Sequence, residues 1–317
     1  MSPATPLVSV VMGVRNGAPG LEATLASLTR GQDLDLEVIV INDGSTDRTG
    51  PLLAELADQD PRIRVLERQG RGLTRSLIEG CSLARGTYIA RQDAGDRSLP
   101  SRLRRQVELL ESDPSASLCS THVRLVVEEG ATAVVNRFAE ESLADGLTGP
   151  AIHGSVLMRR QAYEQAGGYR PAFYFAQDLD LWSRMVEQGR HRVVPEVLYE
   201  ATLSPGSISG SRRQEQQAFH ALIVGASRAR RHGEPETPWL EKAEQLSARC
   251  RTARPDRRRQ AEGAYFIASC LAAEHPLLSR QYLGQTLHLD PWHLRARLRH
   301  LKGALGQGLP GRADQAR

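Results

Sequence analysis

The run IARQDAGDRSLP, residues 89–100, decides how the rest of the chain is read. It sets Asp93 and Asp96 on either side of a glycine, directly after GTYIARQD, an apolar stretch with the pattern of a buried strand. A carboxylate at the end of such a strand costs desolvation free energy unless a cation or a hydrogen-bond donor meets it. Three readings follow from the residues alone: a metal and nucleotide site, a damaged one, or a turn.

Working outward, the first 120 residues alternate short β-branched runs with helical patterns, the signature of βαβ units around a parallel sheet. LVSVVMGV (Leu7 to Val14) and LEVIVIND (Leu36 to Asp43) read as strands buried on both faces, and RIRVLER as a third. Helices are expected at about Leu21–Arg30 and Leu73–Ala84, and a further one in RLRRQVELLESDP, with Pro100 at its first turn. THVRLVVEEGATAVVNR alternates like a hairpin across Glu129 and Gly130, IHGSVLMRR reads as a strand, and helices are expected at Gln161–Ala166 and in AQDLDLWSRMVEQG.

From about Arg212 the periodicity is wholly helical, which divides the chain into residues 1–211 and a basic helical region, 212–317. The pairing of AEGAYFIASCLAAEHP with LLSRQYLGQTLHLDPWHLRARLRH has a tetratricopeptide-like look, without a second copy at that period. The last residues, GQGLPGRADQAR, read as a frayed end.

The net charge of +4 conceals an asymmetry: residues 212–317 carry +9 and the first 211 carry −5. A basic tail can meet an anionic membrane leaflet or a nucleic acid. Yet Lys242 and Lys302 are the only lysines of the chain, and no aromatic-interleaved nucleic-acid module is present, which leaves nucleic acid the weaker partner. No apolar run is long enough for a bilayer span, and the amino-terminal stretch lacks a basic n-region, so the expected location is cytoplasmic. The four cysteines form no C-x-x-C pair and read as reduced core thiols.

Parallel strands present their sites at their carboxyl ends, and Asp43 and Asp93 fall there. A phosphate-bearing ligand needs its charge met by a carboxylate-held metal or by amides at a helix N-terminus. Without a Walker lysine or a G-x-G-x-x-G, the candidates are a metal or an arginine clamp drawn from Arg71, Arg75 and Arg91. Asp178, near the start of a predicted helix, is placed either to cap it or to act as a general base.

Together these segments resemble the family 2 glycosyltransferases, of the GT-A fold, over roughly Pro6 to Ser209. VSVVMGVRNGAPGLEATLASL resembles the family's opening strand, loop and helix. EVIVINDGSTDRT resembles its nucleotide motif, and ARGTYIARQDAGDRSLPSRL the stretch usually ending in D-A-D-D-x-x-x-P-x-R-L. IHGSVLMRRQAYEQAGGYRPAFYFAQDLDLW resembles the acceptor half, with its H-P-S, G-G-Y-R and E-D-x-D-L-W elements.

The resemblance implies an α/β, Rossmann-like, mostly parallel sheet flanked by helices, with an all-α extension. It implies inverting transfer of a sugar from a nucleotide diphosphate donor to a hydroxyl of a glycan or lipid-linked acceptor. By position Val14, Asn16, Asn42 and Asp43 would bind the donor, with Arg71, Arg75, Arg91 and Asp93 around it. Asp93 and Asp96 would hold Mg2+ or Mn2+. Asp178 would deprotonate the acceptor, and His153, Gln177 and Trp182 would lie beside the acceptor or the diphosphate, with Tyr169 a second aromatic able to stack on a sugar.

Three residues depart from the pattern: Asn42 and Gln177 stand where acids are common, and Gly95 occupies the place of the aspartate that ordinarily coordinates the metal. The competing reading is therefore a catalytically impaired sugar-nucleotide-binding or scaffold homologue. A nucleotidyltransferase would need a glycine-rich, lysine-bearing entry that GVRNGAPG does not provide. The sequence leaves the oligomeric state open, and a lipid-linked acceptor would place the protein peripherally at the inner face of the membrane through its basic tail.

Overall fold

The computed structural model describes residues 5–127, 132–136, 150, 152–204, 212–252 and 256–305, with side chains left out at 132–136 and 301–305. A nine-stranded mixed sheet forms its centre, in the order β3-β2-β1-β4-β8-β6-β9-β5, with β7 paired to β6. β1 (Val8–Val14), β2 (Leu36–Asp43), β3 (Ile63–Arg68) and β4 (Tyr88–Arg91) are parallel to one another. All eight residues of β2 are buried, as are all but Gly13 of β1, the burial that a sheet covered by helices on both faces imposes.

Alternate residues of these strands enter two cores. On one face Val8, Val10 and Met12 pack with Leu21, Leu25 and Leu28 of α1 (Ala18–Thr29), Leu53 of α2 (Thr49–Gln59), and Leu103 and Leu110 of α4 (Arg102–Ser112). On the other face Val11 and Ile89 meet Leu77 of α3 (Leu73–Ser82), Tyr163 of α5 (Arg160–Gln165), and Leu181 and Trp182 of α6 (Gln177–Met185). Pro19 and Gly20 are non-helical, so α1 is regular from Leu21, where the periodicity begins.

In the other half of the sheet three pairings are antiparallel: β8 (Leu157–Arg159) runs against both β4 and β6 (Ala116–Val127), and β5 (Arg97–Ser98) against β9 (Arg190–Leu203). The expected strand IHGSVLMRR divides into a 3-10 turn at His153–Ser155 and the short β8. β7 (Thr132–Asn136) supplies the second arm of the expected hairpin, whose turn lies outside the described residues, as does the carboxy-terminal end from residue 306.

Two compact units divide the chain. The first takes in residues to 126, 135–202 and 215–253. It therefore includes helices α7 (Arg213–Arg231) and α8 (Thr237–Thr252), whose Phe219, Ile223, Ala243 and Cys250 pack with Phe173 and Phe175. The second holds α9 (Arg257–Leu271), α10 (Pro276–Leu289) and α11 (Leu294–Leu305), joined through Ala268, Leu283 and Ala296. No disulfide joins the four cysteines, and burial pushes the Cys81 and Cys119 thiols up to about 12.

Candidate active site

Because β1 to β4 run the same way, their following loops gather along one edge of the sheet. Asp43, at the end of β2, is buried and has both oxygens engaged. Oδ1 accepts the Arg71 N–H at 2.6 Å and Oδ2 the Gly72 N–H at 2.7 Å, so it fixes the turn after β3 rather than its own. Asn42 is buried beside it, donating to Glu67 Oε2 at 2.8 Å and accepting from Ser45 Oγ at 2.5 Å. Asn16, held at φ 52°, ties the loops after β1 and β2: its N–H reaches Ser45 Oγ, and its Oδ1 accepts the Thr46 N–H at 2.8 Å. Val14 is buried at the end of β1, whereas Arg71 and Arg75 are exposed at the start of α3.

The loop after β4 is the opening feature of the sequence. Arg91 is fully buried and not a surface clamp: it donates to the backbone of Val11 and Gln92, to His153 Nε2 at 3.3 Å, and to Asp93 Oδ1 at 2.7 Å. Asp93 keeps its side chain 35% exposed. Asp96 is turned inward instead, with Oδ1 on the Thr202 N–H at 2.8 Å and Oδ2 on the Tyr199 hydroxyl at 2.9 Å. Tyr199 also accepts the Asp93 N–H at 3.2 Å. Burial, and next the charge of Asp93, push the Asp96 carboxyl up to about 8. Beneath the loop, Thr24 Oγ1 accepts the Gly95 N–H and donates to the Asp96 carbonyl.

Gly95 and Gly154 are glycines for different reasons. Gly95 has φ 93°, a backbone that side chains rarely adopt, and a Cβ built on it would meet nothing within 4 Å. The missing acid's place is thus open space. A Cβ on Gly154 would fall 1.9 Å from the Tyr199 hydroxyl and 3.1 Å from Asp93 Oδ2, so the bare backbone there lets Tyr199 reach both acids.

On the acceptor side His153 is buried, and desolvation with the Arg91 charge holds its pKa well below the usual imidazole range. Accepting from Arg91 puts the proton of the neutral ring on Nδ1, so the Tyr169 hydroxyl donates to Nε2 at 2.6 Å. Trp182 packs edge-on to His153 at 5.8 Å, and both Trp182 and Tyr169 are buried, so neither presents a face on which a sugar could stack.

Ala176, in the left-handed region at φ 56°, turns the chain into α6, where Gln177 is buried and Asp178 half-buried. Asp178 Oδ1 accepts the Leu179 N–H at 2.9 Å. Desolvation pushes its carboxyl up to about 6; the hydrogen bonds of its own and the Leu179 N–H oppose this, and the Asp93 and Arg91 charges act as smaller, opposed influences. Asp180, two residues on, is buried in an ion pair with Arg184 at 2.6 Å.

The residues that sequence reasoning did not single out are the positioning ones: Tyr199 and Thr202 on β9, Thr24 on α1, and buried Arg102. The Arg102 guanidinium lies 4.8 Å from the Tyr199 ring and donates to the carbonyls of Arg91 and Gly154. Their one sequence signal is Arg102 itself, an arginine in the first turn of a helix that otherwise reads as amphipathic.

The donor set does not fit the two-carboxylate metal site that the resemblance implies. Asp96 has both oxygens engaged inside the protein, position 95 carries no side chain, and Asp93 has one oxygen on Arg91. Among the described residues no cluster of three His, Cys, Asp or Glu side chains could hold a metal ion.

A mixed sheet with a carboxylate-bearing edge of this kind defines a class, and comparison with known proteins gives the family. The sequence pattern of the family described as Glycosyl transferase family 2 matches residues 9–167, half of the chain. The putative glycosyltransferase EpsE of Bacillus subtilis (strain 168) is 34% identical over 204 residues, covering 62% of this chain and 72% of EpsE. The chain belongs to glycosyl transferase family 2.

The chondroitin synthase of Pasteurella multocida (strain Pm70) is 25% identical over 227 residues, 70% of this chain but 23% of the synthase, so the chain spans under a quarter of that relative. Among solved structures, the mannosyltransferase PcManGT from Pyrobaculum calidifontis, in complex with GDP-Man and Mn2+, superposes with a TM-score of 0.54 at 20% identity. That match covers 95% of this chain and 85% of PcManGT. S. aureus TarS 1–349, in complex with UDP-GlcNAc, gives 0.54 at 13% identity, covering 93% of this chain and 79% of TarS. These two likenesses concern the fold, which is GT-A-like.

Proposed function

We propose that the chain moves a sugar from a nucleotide diphosphate donor to an acceptor hydroxyl with inversion, Asp178 serving as general base. The observation that carries this reading is Asp178 itself. It is half-buried at the start of α6, feels the charges of Asp93 and Arg91, and has a carboxyl pushed up to about 6. At neutral pH such a group is mostly ionised yet basic enough to take a proton. In the step, the acceptor O–H gives its proton to Asp178 and its oxygen bonds to the anomeric carbon. The bond from that carbon to the diphosphate breaks on the opposite face, and its electron pair leaves with the diphosphate.

The donor lies along the loops after β1 to β4, where Val14, Asn16 and Asn42 shape the nucleotide end and Asp93 is the acid left accessible. Asp43 acts there through the Arg71–Gly72 turn that it holds. His153, neutral and buried, together with Gln177 and Trp182, backs the reacting region without entering it. Helices α7 and α8 pack behind the loop that leads into Asp178: the Tyr174 N–H donates to Ser247 Oγ, and Arg170 pairs with Glu236 at 2.6 Å. The acceptor is a glycan or a lipid-linked glycan; a relative named chondroitin synthase supports the glycan part of this reading.

Among the described residues no helix is long and apolar enough to cross a membrane. The basic helices are proposed to hold the protein peripherally at an anionic leaflet on the cytoplasmic side. Trp292 and Leu294, 80% and 68% exposed, favour this, because they stand among Arg295, Arg297 and Arg299. Sedimentation with acidic liposomes checks it, and equal, negligible binding of the full chain and of a version ending near residue 253 refutes it.

The transferase reading is tested with a panel of nucleotide sugars, following thermal shift and nucleoside diphosphate release together. Stabilisation by one donor with release is the expected result. Stabilisation without release, across acceptors, would instead favour the binding or scaffold homologue.

A further inference from the structure

Resting on that donor-site reading, one feature of the loop after β4 separates this chain from the metal-holding arrangement its sequence resembles. The acid at position 95 is absent, and its space is open. The neighbouring acid cannot replace it from where it stands. Asp96 is 7% exposed, and its two oxygens accept from Tyr199 and Thr202, which lock the loop to β9. Swinging Asp96 outward would take the acceptor from the Thr202 N–H and leave the buried Tyr199 hydroxyl without its own, which is costly. Asp93 alone faces the edge, already tied through Oδ1 to Arg91.

The same edge is well supplied with cations. The Arg15 guanidinium lies over the turn after β3: a Cβ on Gly70 would stand 3.6 Å from Arg15 Nη1. The loop carrying Arg15 also touches the loop after β4, since a Cβ on Gly17 would stand 3.4 Å from the Ala94 Cβ. Arg71 follows Gly70, is 58% exposed, and reaches Glu79 only at 4.0 Å. Arg75 is exposed one turn into α3. Asp43 fixes the backbone of this turn through two N–H groups, so the base from which Arg71 extends is preset.

We infer that this chain holds the donor's diphosphate without a divalent cation, Arg15, Arg71 and Arg75 supplying the positive charge that a metal supplies in relatives with an intact acidic pair. Arginine forks match phosphate oxygens geometrically and stay charged at every working pH, so the substitution is chemically sound.

The test is calorimetric titration of UDP, GDP, ADP, CDP and dTDP into the full chain, in EDTA and in Mn2+, using wild type, Gly95→Asp, and Arg15→Ala with Arg71→Ala. Wild-type affinity for whichever nucleotide binds is expected to differ by less than about twofold between the two media. The double arginine variant should lose about tenfold or more in both. Gly95→Asp should acquire a Mn2+ dependence that wild type lacks. A wild-type affinity that falls more than about tenfold on adding EDTA overturns the inference and leaves the transferase reading standing. Failure of every nucleoside diphosphate to bind in either medium overturns the donor-site reading and this inference with it. The wild-type comparison decides the matter even if the strained backbone at position 95 keeps Gly95→Asp from folding.

Discussion

The loops after β2 and β4 stand on either side of β1, and each carries a carboxylate at the end of a buried parallel strand. After β2, Asp43 gives both oxygens to backbone N–H groups of the next turn. After β4 the work is divided: Asp96 gives both oxygens to β9, while Asp93 gives one to Arg91 and keeps a third of its side chain exposed. Position at the active edge is therefore not the same as availability for chemistry. Asp43 and Asp96 build the edge. In the proposed mechanism, Asp93 and Asp178 are the acids that meet substrate.

This division is open to attack by substitution, because removing an available acid should cost activity and removing a committed one should cost stability. The largest effect is expected at Asp178. Asp178→Asn should lower turnover by about 10²- to 10⁴-fold, the range for losing a general base, with nucleotide binding and melting little changed. A stopped assay of nucleoside diphosphate release together with calorimetry checks both halves.

Next, Asp43→Ala strips the Arg71 and Gly72 N–H groups of a charged acceptor, and a loss of about 2 to 4 kcal/mol in urea unfolding is expected. Tyr199→Phe removes the hydroxyl shared by Asp93 and Asp96, and should cost about 1 to 3 kcal/mol in the same measurement. The smallest change is Gly95→Ala. A methyl there meets open space, so only the positive φ opposes it, and about 1 kcal/mol is the expected loss. A larger loss would mean that the loop is more tightly packed than the geometry states.

Asp96 offers a sharper version of the contrast. Its folded carboxyl, near 8, lies above the ordinary value of 3.8, so the native state holds the proton more tightly than the unfolded chain. Its contribution to stability is complete below about pH 4 and declines as pH rises through about 8. Asp96→Asn keeps an acceptor for the Thr202 N–H and cannot ionise, so the decline of melting temperature over that window should flatten.

The parallel half of the sheet was legible because burial on both faces turns a strand into a continuous apolar run, as in Val8–Val14 and Leu36–Asp43. The other half was not. β9 alternates irregularly between buried and exposed residues and contains Pro195, so neither periodicity marks it. The acids were legible as candidates because strand ends concentrate sites. Their division was hidden, since Asp96 is decided by Tyr199 and Thr202, about a hundred residues further along the chain. Arg91 read as one arm of a phosphate clamp, yet it is the last residue of β4, and its guanidinium turns inward to Val11, His153 and Asp93. Tyr169 likewise faces His153 rather than solvent. The helical patterning beyond residue 212 located helices correctly, but not that α7 and α8 would share a core with Phe173 and Phe175.

The most direct test of the account is the pH dependence of nucleoside diphosphate release from the preferred donor, followed as kcat/KM from about pH 4.5 to 8 in wild type and Asp178→Asn. With Asp178 as base and its carboxyl near 6, the ionised form is the active one. Wild-type kcat/KM should therefore be level above pH 7 and fall about tenfold per unit below pH 6, and the residual rate of the variant should lack that limb. A wild-type profile flat through pH 6, or a limb that survives in Asp178→Asn, would contradict the assignment.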